Sequence, residues 1–223
     1  MEISGPVAAI LMASGVSERF GERDKLLVPF RGKPLARYTL ELAAALDLPE
    51  ENPGPTGQGF YGSWSRRGFG GGIFFVVSSN DVASLAVDLN GVTVIKNTAP
   101  EKGLRESVRM GMEVAGPGAE YYLFFPCDMP ILDAATVRRV LAVREPGCIV
   151  EPRYRNRPGN PCLFSAAFRE ELLSLKEDET PRLIKARYPE ALKVVDVSDA
   201  LILEDVDDEE TLKWLEEAVA DKE

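Results

Sequence analysis

The sequence predicts an α/β fold in which a mostly parallel, doubly wound sheet lies between two layers of helices. Strand-like and helix-like segments alternate along the chain, which is typical of successive β-α-β units. The segments 73–79 and 121–125 are largely apolar, as expected of strands covered on both faces. With 223 residues, of which 45% are hydrophobic, the chain is large enough to bury such a core within one domain.

Hydrophobic periodicity and the turn residues at segment ends predict the individual elements. The first strand is the apolar run 7–12, which breaks at Ser14-Gly15, and the first helix spans 34–46. Further strands are predicted at 73–79, 92–95, 121–125, 149–150 and 194–197. Further helices are predicted at 104–114, 134–143, 166–175, 182–187 and 209–219.

Residues 49–72 interrupt this alternation because they are too rich in glycine and proline to form a regular element. A loop of this length is uncommon within a compact domain. We interpret the segment as an insertion into a single domain that spans residues 1–223. The alternative is a flap that contacts a large substrate through Phe60, Tyr61, Trp64 and Arg66.

The loop after the first strand carries a pattern suited to an anion with several phosphates, namely Ser17, Arg19, Gly21 and Lys25. Glycine lets the backbone present N–H groups closely, and the two cations supply positive charge. The spacing is not that of a P-loop, in which lysine directly follows the second glycine. It is not that of the dinucleotide fingerprint either, which needs three closely spaced glycines.

Composition excludes several kinds of chemistry. The chain contains no histidine, which removes Ser-His-Asp and Cys-His catalysis and histidine zinc sites. A formal net charge of −10 argues against general nucleic-acid binding. Three cysteines without a Cys-x-x-Cys pair are typical of reduced thiols, and no segment resembles a signal peptide or a membrane span. We therefore expect a cytoplasmic protein that works by positioning and charge neutralisation.

A second candidate site follows the apolar run 121–125, where Asp128 stands between Pro126 and Pro130. A carboxylate just beyond a buried strand is well placed to hold Mg²⁺, which prefers one or two carboxylates together with phosphate oxygens and water. The alternative is that Asp128 caps the next helix, although Asp133 stands directly before that helix and fits this role.

The chain resembles the nucleotidyltransferases that activate molybdopterin and related metabolites. Their signature is Leu-Ala-Ala-Gly-x-Ser-x-Arg-x-Gly-x-x-Lys, followed by Leu-Leu-x-x-x-Gly-x-Pro-Leu. Here Met12, Ala13, Ser14 and Gly15 stand in place of Leu-Ala-Ala-Gly, and Lys25 matches the final lysine. The resemblance implies a fold like that of the nucleotide-diphospho-sugar transferases. It also implies nucleotide binding by the loop residues Ala13, Ser14, Gly15, Ser17 and Gly21, with Arg19 and Lys25 on the triphosphate.

The resemblance extends along most of the chain. It implies that Asp128 is the metal aspartate, with Asp207 or alternatively Asp205 completing the metal site. The alternative for this segment is that Asp207 or Asp208 caps the last helix. It also implies that Asn97, Gly103 and Ser107 lie near the base and ribose, although an N-capped amphipathic helix would explain these three residues equally well. The candidates for binding the pterin substrate are Asn160, Asp178 and Arg182. Asn160 departs from the family's Gly-His-Pro, and the segment of Asp178 has lost two glycines.

The implied activity is that of a molybdenum cofactor cytidylyltransferase, which joins CMP from CTP to molybdenum-molybdopterin and releases pyrophosphate. The implied cofactor is Mg²⁺, and a molybdenum hydroxylase is the expected recipient of the product. Three alternatives remain, namely a guanylyltransferase on the same pterin, a cytidylyltransferase on a polyol phosphate, and a non-catalytic pterin-binding chaperone. Ser14 favours a pyrimidine, because guanylyl relatives carry glycine at that position. Retention of Lys25 and Asp128 favours an enzyme.

Overall fold

The computed structural model describes residues 5–15, 20, 24–47, 70–176 and 179–220. The strands in these ranges are β1 Val7–Ala13, β2 Pro29–Phe30, β3 Lys33–Pro34, β4 Gly70–Val77, β5 Val92–Lys96, β6 Tyr121–Pro126, β7 Ile149–Tyr154, β8 Arg157–Pro158, β9 Cys162–Ser165 and β10 Leu192–Asp196. The α-helices are α1 Leu35–Asp47, α2 Asn80–Ser84, α3 Leu104–Ala115, α4 Ala134–Ala142, α5 Arg169–Leu173, α6 Pro181–Arg187 and α7 Glu209–Ala220.

The main sheet has the strand order β10-β7-β9-β6-β1-β4-β5, and β8 pairs with β7 at its side. Strand β1 lies at the centre and runs parallel to both β4 and β6. Only β9 and the short β8 run antiparallel to their neighbours in this sheet, as far as the described residues show. The mostly parallel, doubly wound sheet is therefore confirmed.

Alternating side chains of β1 contribute to two separate cores, one on each face of the sheet. Ala9 and Leu11 pack with residues of α1 and α4, whereas Ala8 and Ile10 pack with residues of α3, α5 and α6. Both faces are apolar because both are covered by helices, which explains the unbroken apolar runs of β4 and β6. A third cluster joins the β2–β3 hairpin to α7 through Phe30 and Leu215.

The observed elements differ from the predicted ones in several places, and the short elements β2, β3, α2 and β8 were not predicted. The sequence reasoning missed β9, whose four residues follow Pro161 and enter the sheet antiparallel between β6 and β7. The helix predicted at 166–175 is a 3₁₀ turn, Ala166–Phe168, that continues into the short α5. Strand β4 begins at Gly70, so residues 70–72 belong to the sheet and not to the predicted 49–72 loop. The rest of that loop lies outside the described residues.

Gly71 explains how β4 can begin within a glycine run. A Cβ at this position would lie 2.7 Å from the carbonyl carbon of Val7 in β1. Backbone atoms of a central strand cannot move aside cheaply, so Gly71→Ala is expected to lower the free energy of unfolding by about 1–3 kcal/mol. Urea unfolding measures the loss. Gly118→Ala is the matched control, because a Cβ there meets nothing within 4 Å. Equal stability of the two variants would show that the close approach to β1 is not real.

Two further sequence expectations concern burial. Cys127, Cys148 and Cys162 are buried free thiols, as expected. In the described part of the chain, every helix is too short or too polar to cross a bilayer.

Candidate active site

The carboxyl ends of β1 and β6 bring together the two motifs that the sequence analysis singled out. The two strands are neighbours and parallel, with Met12 opposite Pro126. Ser14 and Gly15 follow one strand, and Asp128 follows the other. In doubly wound sheets ligands bind at this edge, because loops and helix amino ends converge there. The same edge is therefore the candidate active site here.

Lys25 is held at this edge by local structure. It begins a 3₁₀ turn, Lys25–Leu27, whose first N–H groups are capped by Asp24, since Leu26 N donates to Asp24 Oδ1 at 3.0 Å. The Leu26 side chain is buried and anchors the turn in the core. Lys25 Nζ donates to Asp128 Oδ2 at 2.7 Å and to Asp207 Oδ1 at 3.0 Å. Burial by itself lowers the pKa of Lys25, but these two carboxylates outweigh it and the pKa is raised.

Asp128, Asp205 and Asp207 form a cluster in which one oxygen from each lies within 4.8 Å of the others. The backbone creates this cluster, because Val206 N donates to the main-chain oxygen of Asp128 at 2.9 Å. The Val206 side chain is fully buried, so the segment that carries the two later aspartates is anchored beside Asp128. Partial burial, and then the negative charge of Asp128, raise the pKa of Asp205. Three clustered carboxylates match the ligand chemistry of a hard divalent cation.

Other aspartates cap the two helices that Asp128 and Asp207 were alternatively expected to cap. Asp133 accepts from Thr136 N at 2.7 Å and caps α4, so Asp128 does not serve as that cap. Asp208 accepts from Thr211 N at 2.8 Å at the start of α7, whereas Asp207 pairs with Lys25. Thus α4 and α7 have the capping carboxylates Asp133 and Asp208, which do not belong to the carboxylate cluster.

Three predicted nucleotide-binding residues form a buried polar cluster on the other side of the loop. Ser14 Oγ lies 2.5 Å from Ser107 Oγ and accepts from Asn97 Nδ2 at 3.0 Å. Asn97 Oδ1 in turn accepts from Ala99 N at 2.9 Å. Ser14, Asn97 and Ser107 are each at most 3% exposed. These bonds tie the end of β1 to α3 and to the segment after β5.

A pocket of about 170 Å³ lies between the polar cluster and the carboxylates. Its polar wall includes Lys25 and Asp128, and its apolar wall includes Leu26 and Leu104. The amino end of α3 also faces it through Gly103 and Ser107, and such an end carries partial positive charge. The full lining consists of Met12, Ser14, Gly15, Lys25, Leu26, Gly103, Leu104, Ser107, Pro126 and Asp128. The combination of positive charge and a small apolar wall suits a nucleotide.

The predicted pterin-binding residues Asn160 and Arg182 do not line the pocket described above. Asn160 lies beside Asp128's neighbour Met129, with Nδ2 at 3.6 Å from the Met129 sulfur. Arg182 is exposed on the first turn of α6. Between α6 and the sheet, the buried Glu151 accepts from Lys185 and also from Arg153 Nε, the latter at 2.8 Å.

Sequence reasoning missed some of these residues and placed others differently. Leu104, which follows Gly103 directly, was missed as a pocket residue. The ion pair between Glu151 and Lys185, which lies outside the pocket lining, was not predicted either. Ala13 is predicted to bind nucleotide, but its side chain is 1% exposed and packs in the core. Only its backbone is left to contact a ligand. The predicted site residues Ser17, Arg19, Gly21 and Asp178 lie outside the described residues.

The chain is similar to known proteins along most of its length. The family model of the MobA-like NTP transferase domain matches residues 9–192. The chain is 25% identical over 210 residues to nicotine blue oxidoreductase of Paenarthrobacter nicotinovorans, covering 90% of this chain and 92% of that protein. It is 26% identical over 140 residues to molybdenum cofactor guanylyltransferase of Shewanella halifaxensis, covering 63% of this chain and 56% of that protein.

The fold has close matches among solved structures and is that of the nucleotide-diphospho-sugar transferases. One of these structures is Rv0371c of Mycobacterium tuberculosis in complex with manganese, with a TM-score of 0.64 and 20% identity. The match covers 96% of this chain and 100% of that one. Because the family model covers the sheet from β1 to the start of β10 and includes both Lys25 and Asp128, the chain belongs to the MobA-like NTP transferase domain family.

Proposed function

We propose that this protein is a nucleotidyltransferase that joins CMP from CTP to the phosphate of molybdenum-molybdopterin and releases pyrophosphate. The observation that carries the proposal is the position of Lys25. Its ammonium group bonds to both Asp128 and Asp207, and Lys25 lines the same pocket as the amino end of α3. The proposal is supported by this proximity of a lysine to a group of carboxylates, because a triphosphate with its divalent cation needs both positive charge and carboxylate ligands.

In the proposed reaction an oxygen of the acceptor phosphate forms a bond to the α-phosphorus of CTP. The bond from that phosphorus to the bridging oxygen breaks, and pyrophosphate leaves with the electron pair. The acceptor is already an anion near neutral pH, so no side chain has to remove a proton. The absence of histidine from the sequence is compatible with this reaction. Lys25 neutralises the triphosphate, and the amino end of α3 and the loop at Gly15 contribute N–H groups.

Asp128, Asp205 and Asp207 would hold the divalent cation, and the donor set fits Mg²⁺ because it consists of carboxylate oxygens. When bound, the cation supplies charge neutralisation at the α-phosphate. Asp207 is the second ligand that we propose, with Asp205 as a third. Asn160, Asp178 and Arg182 remain the proposed contacts of the pterin substrate. Arg19, Ser17 and Gly21 remain proposed contacts of the nucleotide.

We further propose that the reaction takes place in the cytoplasm, within a single domain, and that a molybdenum hydroxylase receives the product. The buried free thiols Cys127, Cys148 and Cys162 support a reducing compartment.

Ser14 supports CTP over GTP, because its Cβ narrows the pocket beside the base. The similarity to a guanylyltransferase supports GTP instead. The direct test is pyrophosphate release with molybdenum-molybdopterin and each of the four nucleotides. Release with CTP is expected, and release with GTP alone would overturn the cytidylyl assignment. Pyrophosphate release with a polyol phosphate, and none with the pterin, would show that the acceptor is the polyol phosphate.

Ser14→Gly is expected to raise the use of GTP relative to CTP, since glycine removes the side chain that narrows the base site. One discriminating contact is worth only about 1–3 kcal/mol, so the shift should be partial. Some absolute activity should be lost with both nucleotides, because Asn97 and Ser107 lose a buried partner. Competition between CTP and GTP in one tube, read as the ratio of the two pterin dinucleotides, measures the shift.

Ser107→Ala is the control for this experiment, because it breaks the same hydrogen bond and leaves the Cβ of residue 14 in place. It should lower stability without changing the nucleotide ratio. An unchanged ratio in Ser14→Gly would assign selectivity to other residues, with Leu104 in the pocket wall as the next candidate.

An oxidoreductase activity is the second candidate, and the observation that favours it is the similarity to nicotine blue oxidoreductase along 90% of this chain. In that case the pocket would hold a dinucleotide hydride donor. The assay is consumption of nicotine blue with NADH or NADPH in the absence of CTP. Consumption of nicotine blue in this assay, together with no pyrophosphate release from any nucleotide, would indicate an oxidoreductase and not a nucleotidyltransferase.

A further inference from the structure

The Lys25 ammonium group occupies the position at which a cation would contact the carboxylate cluster. Nζ lies 2.7 Å from an oxygen of Asp128 and 3.0 Å from an oxygen of Asp207. These are two of the three carboxylates whose oxygens lie within 4.8 Å of one another. The side chains of Lys25 and Asp128 are 15% and 20% exposed, so water screens this contact weakly, whereas Asp207 is 49% exposed and its contact is screened more. The lysine therefore serves as an internal counter-ion of the cluster.

We propose that Lys25 must leave the carboxylates before a divalent cation binds them, and that the released ammonium then turns to the triphosphate. The inference rests on the proposed function, because that function places a divalent cation at Asp128 and Asp207. Cation binding and nucleotide binding would then share one movable group. Lys25 thus couples the two binding events as well as supplying charge.

Electrostatics makes joint occupancy unfavourable. An ammonium group and a divalent cation on the same oxygens would lie within a few ångströms of each other, where like charges repel strongly at low local dielectric. The two groups also need the same carboxylate lone pairs. The cluster can therefore bind the cation tightly only when Lys25 Nζ has moved away.

The local structure allows this movement without a change of the fold. The backbone of Lys25 is fixed by the cap that Asp24 provides and by the buried Leu26. The lysine side chain has a flexible four-carbon stem that can redirect Nζ by rotamer changes alone. Lys25 lines the pocket, so its ammonium group can reach a ligand there. Because thermodynamic coupling is reciprocal, triphosphate binding that draws Lys25 away favours cation binding equally.

The test uses Mn²⁺ alone, so that direct binding between metal and nucleotide does not obscure the result. Free Mn²⁺ is measured by electron paramagnetic resonance, and heat by titration calorimetry, with wild type and Lys25→Met. We expect Lys25→Met to bind Mn²⁺ roughly tenfold more tightly, the usual scale of coupling between two sites. Lys193→Met is the matched control. It removes a lysine that pairs with Glu145 at 2.7 Å, at the amino end of β10 and at the opposite edge of the sheet.

Thermal unfolding provides a second readout that does not depend on activity. Mn²⁺ should raise the Tm of Lys25→Met by more than that of wild type, since a ligand that binds the native state stabilises it by an amount that grows with the logarithm of its affinity. If the methionine variant does not fold, Lys25→Gln replaces it, because glutamine is also neutral and keeps a polar end.

Equal or weaker Mn²⁺ affinity in Lys25→Met than in wild type would overturn the inference. So would an equal gain of affinity in Lys193→Met, which would indicate only an effect of net charge. An absence of Mn²⁺ binding in all variants would overturn it together with the proposed metal site. Tighter binding in Lys25→Met alone supports it, and the pyrophosphate assay with wild type then decides the proposed function separately.

Discussion

Lys25→Ala is expected to lower nucleotidyl transfer by roughly 100-fold or more, the scale of losing one preorganised charge in a partly dry site. The reason is the position of its ammonium group at the pocket, where it would neutralise the triphosphate as pyrophosphate leaves. Pyrophosphate release at saturating CTP and Mg²⁺ measures the effect. Folding should be little affected, because the side chain lies at the edge of the sheet and not in a core.

Lys193→Ala serves as the control, since it also removes a lysine from a salt bridge but at the other edge of the sheet. It should retain wild-type turnover. Near-normal turnover of Lys25→Ala would contradict the role assigned to the lysine. A loss confined to KM for CTP, with kcat unchanged, would show that Lys25 binds the ground state and the transition state equally.

Asp128→Asn is expected to abolish Mg²⁺-dependent activity while the protein remains folded. Asparagine keeps the shape of aspartate but brings no negative charge to a cation. The hydrogen bond that anchors the neighbouring segment uses the main-chain oxygen of residue 128, so it survives the substitution. Activity is measured as a function of Mg²⁺ concentration, and circular dichroism reports the fold.

Asp133→Asn is the matched control, because it makes the same substitution nearby in the chain at the cap of α4. Asparagine caps helices about as well as aspartate, so this variant should keep both its activity and its stability. An unchanged Mg²⁺ optimum in Asp128→Asn would rule out the metal assignment. Loss of fold in that variant would instead indicate that the ion pair with Lys25 is structural.

The elements that have strong local sequence patterns could be predicted without the structure. The apolar runs of β1, β4 and β6 were predicted to within a few residues, because strands buried on both faces must be continuously apolar. The cap of α4 was predicted at Asp133 for a similar reason, since its carboxylate bonds an N–H three residues ahead. The order of strands and helices then implied that Lys25 and Asp128 lie at one edge of the sheet.

Contacts between residues that are distant in the sequence became visible only in the folded protein. Strand β9 is too short to give a periodic signal, and its antiparallel place depends on β6 and β7 on either side. Likewise, Ser14 and Asn97 were predicted as ligand contacts, and the structure shows that Asn97 donates a hydrogen bond to Ser14. Nothing local to either residue specifies that bond.

The position of Asp207 beside Lys25 also could not be predicted from the sequence alone. From the sequence, Asp207 and Asp208 are equally good caps for α7, and Asp205 is an alternative metal ligand. Val206 determines which aspartate lies beside Asp128, because its buried side chain and its hydrogen bond to the Asp128 backbone fix the position of the whole segment. Neighbouring side chains along a chain point in different directions, and a packed core far away in sequence determines which one faces Lys25. That information resides in the fold, because burial is a property of the assembled chain.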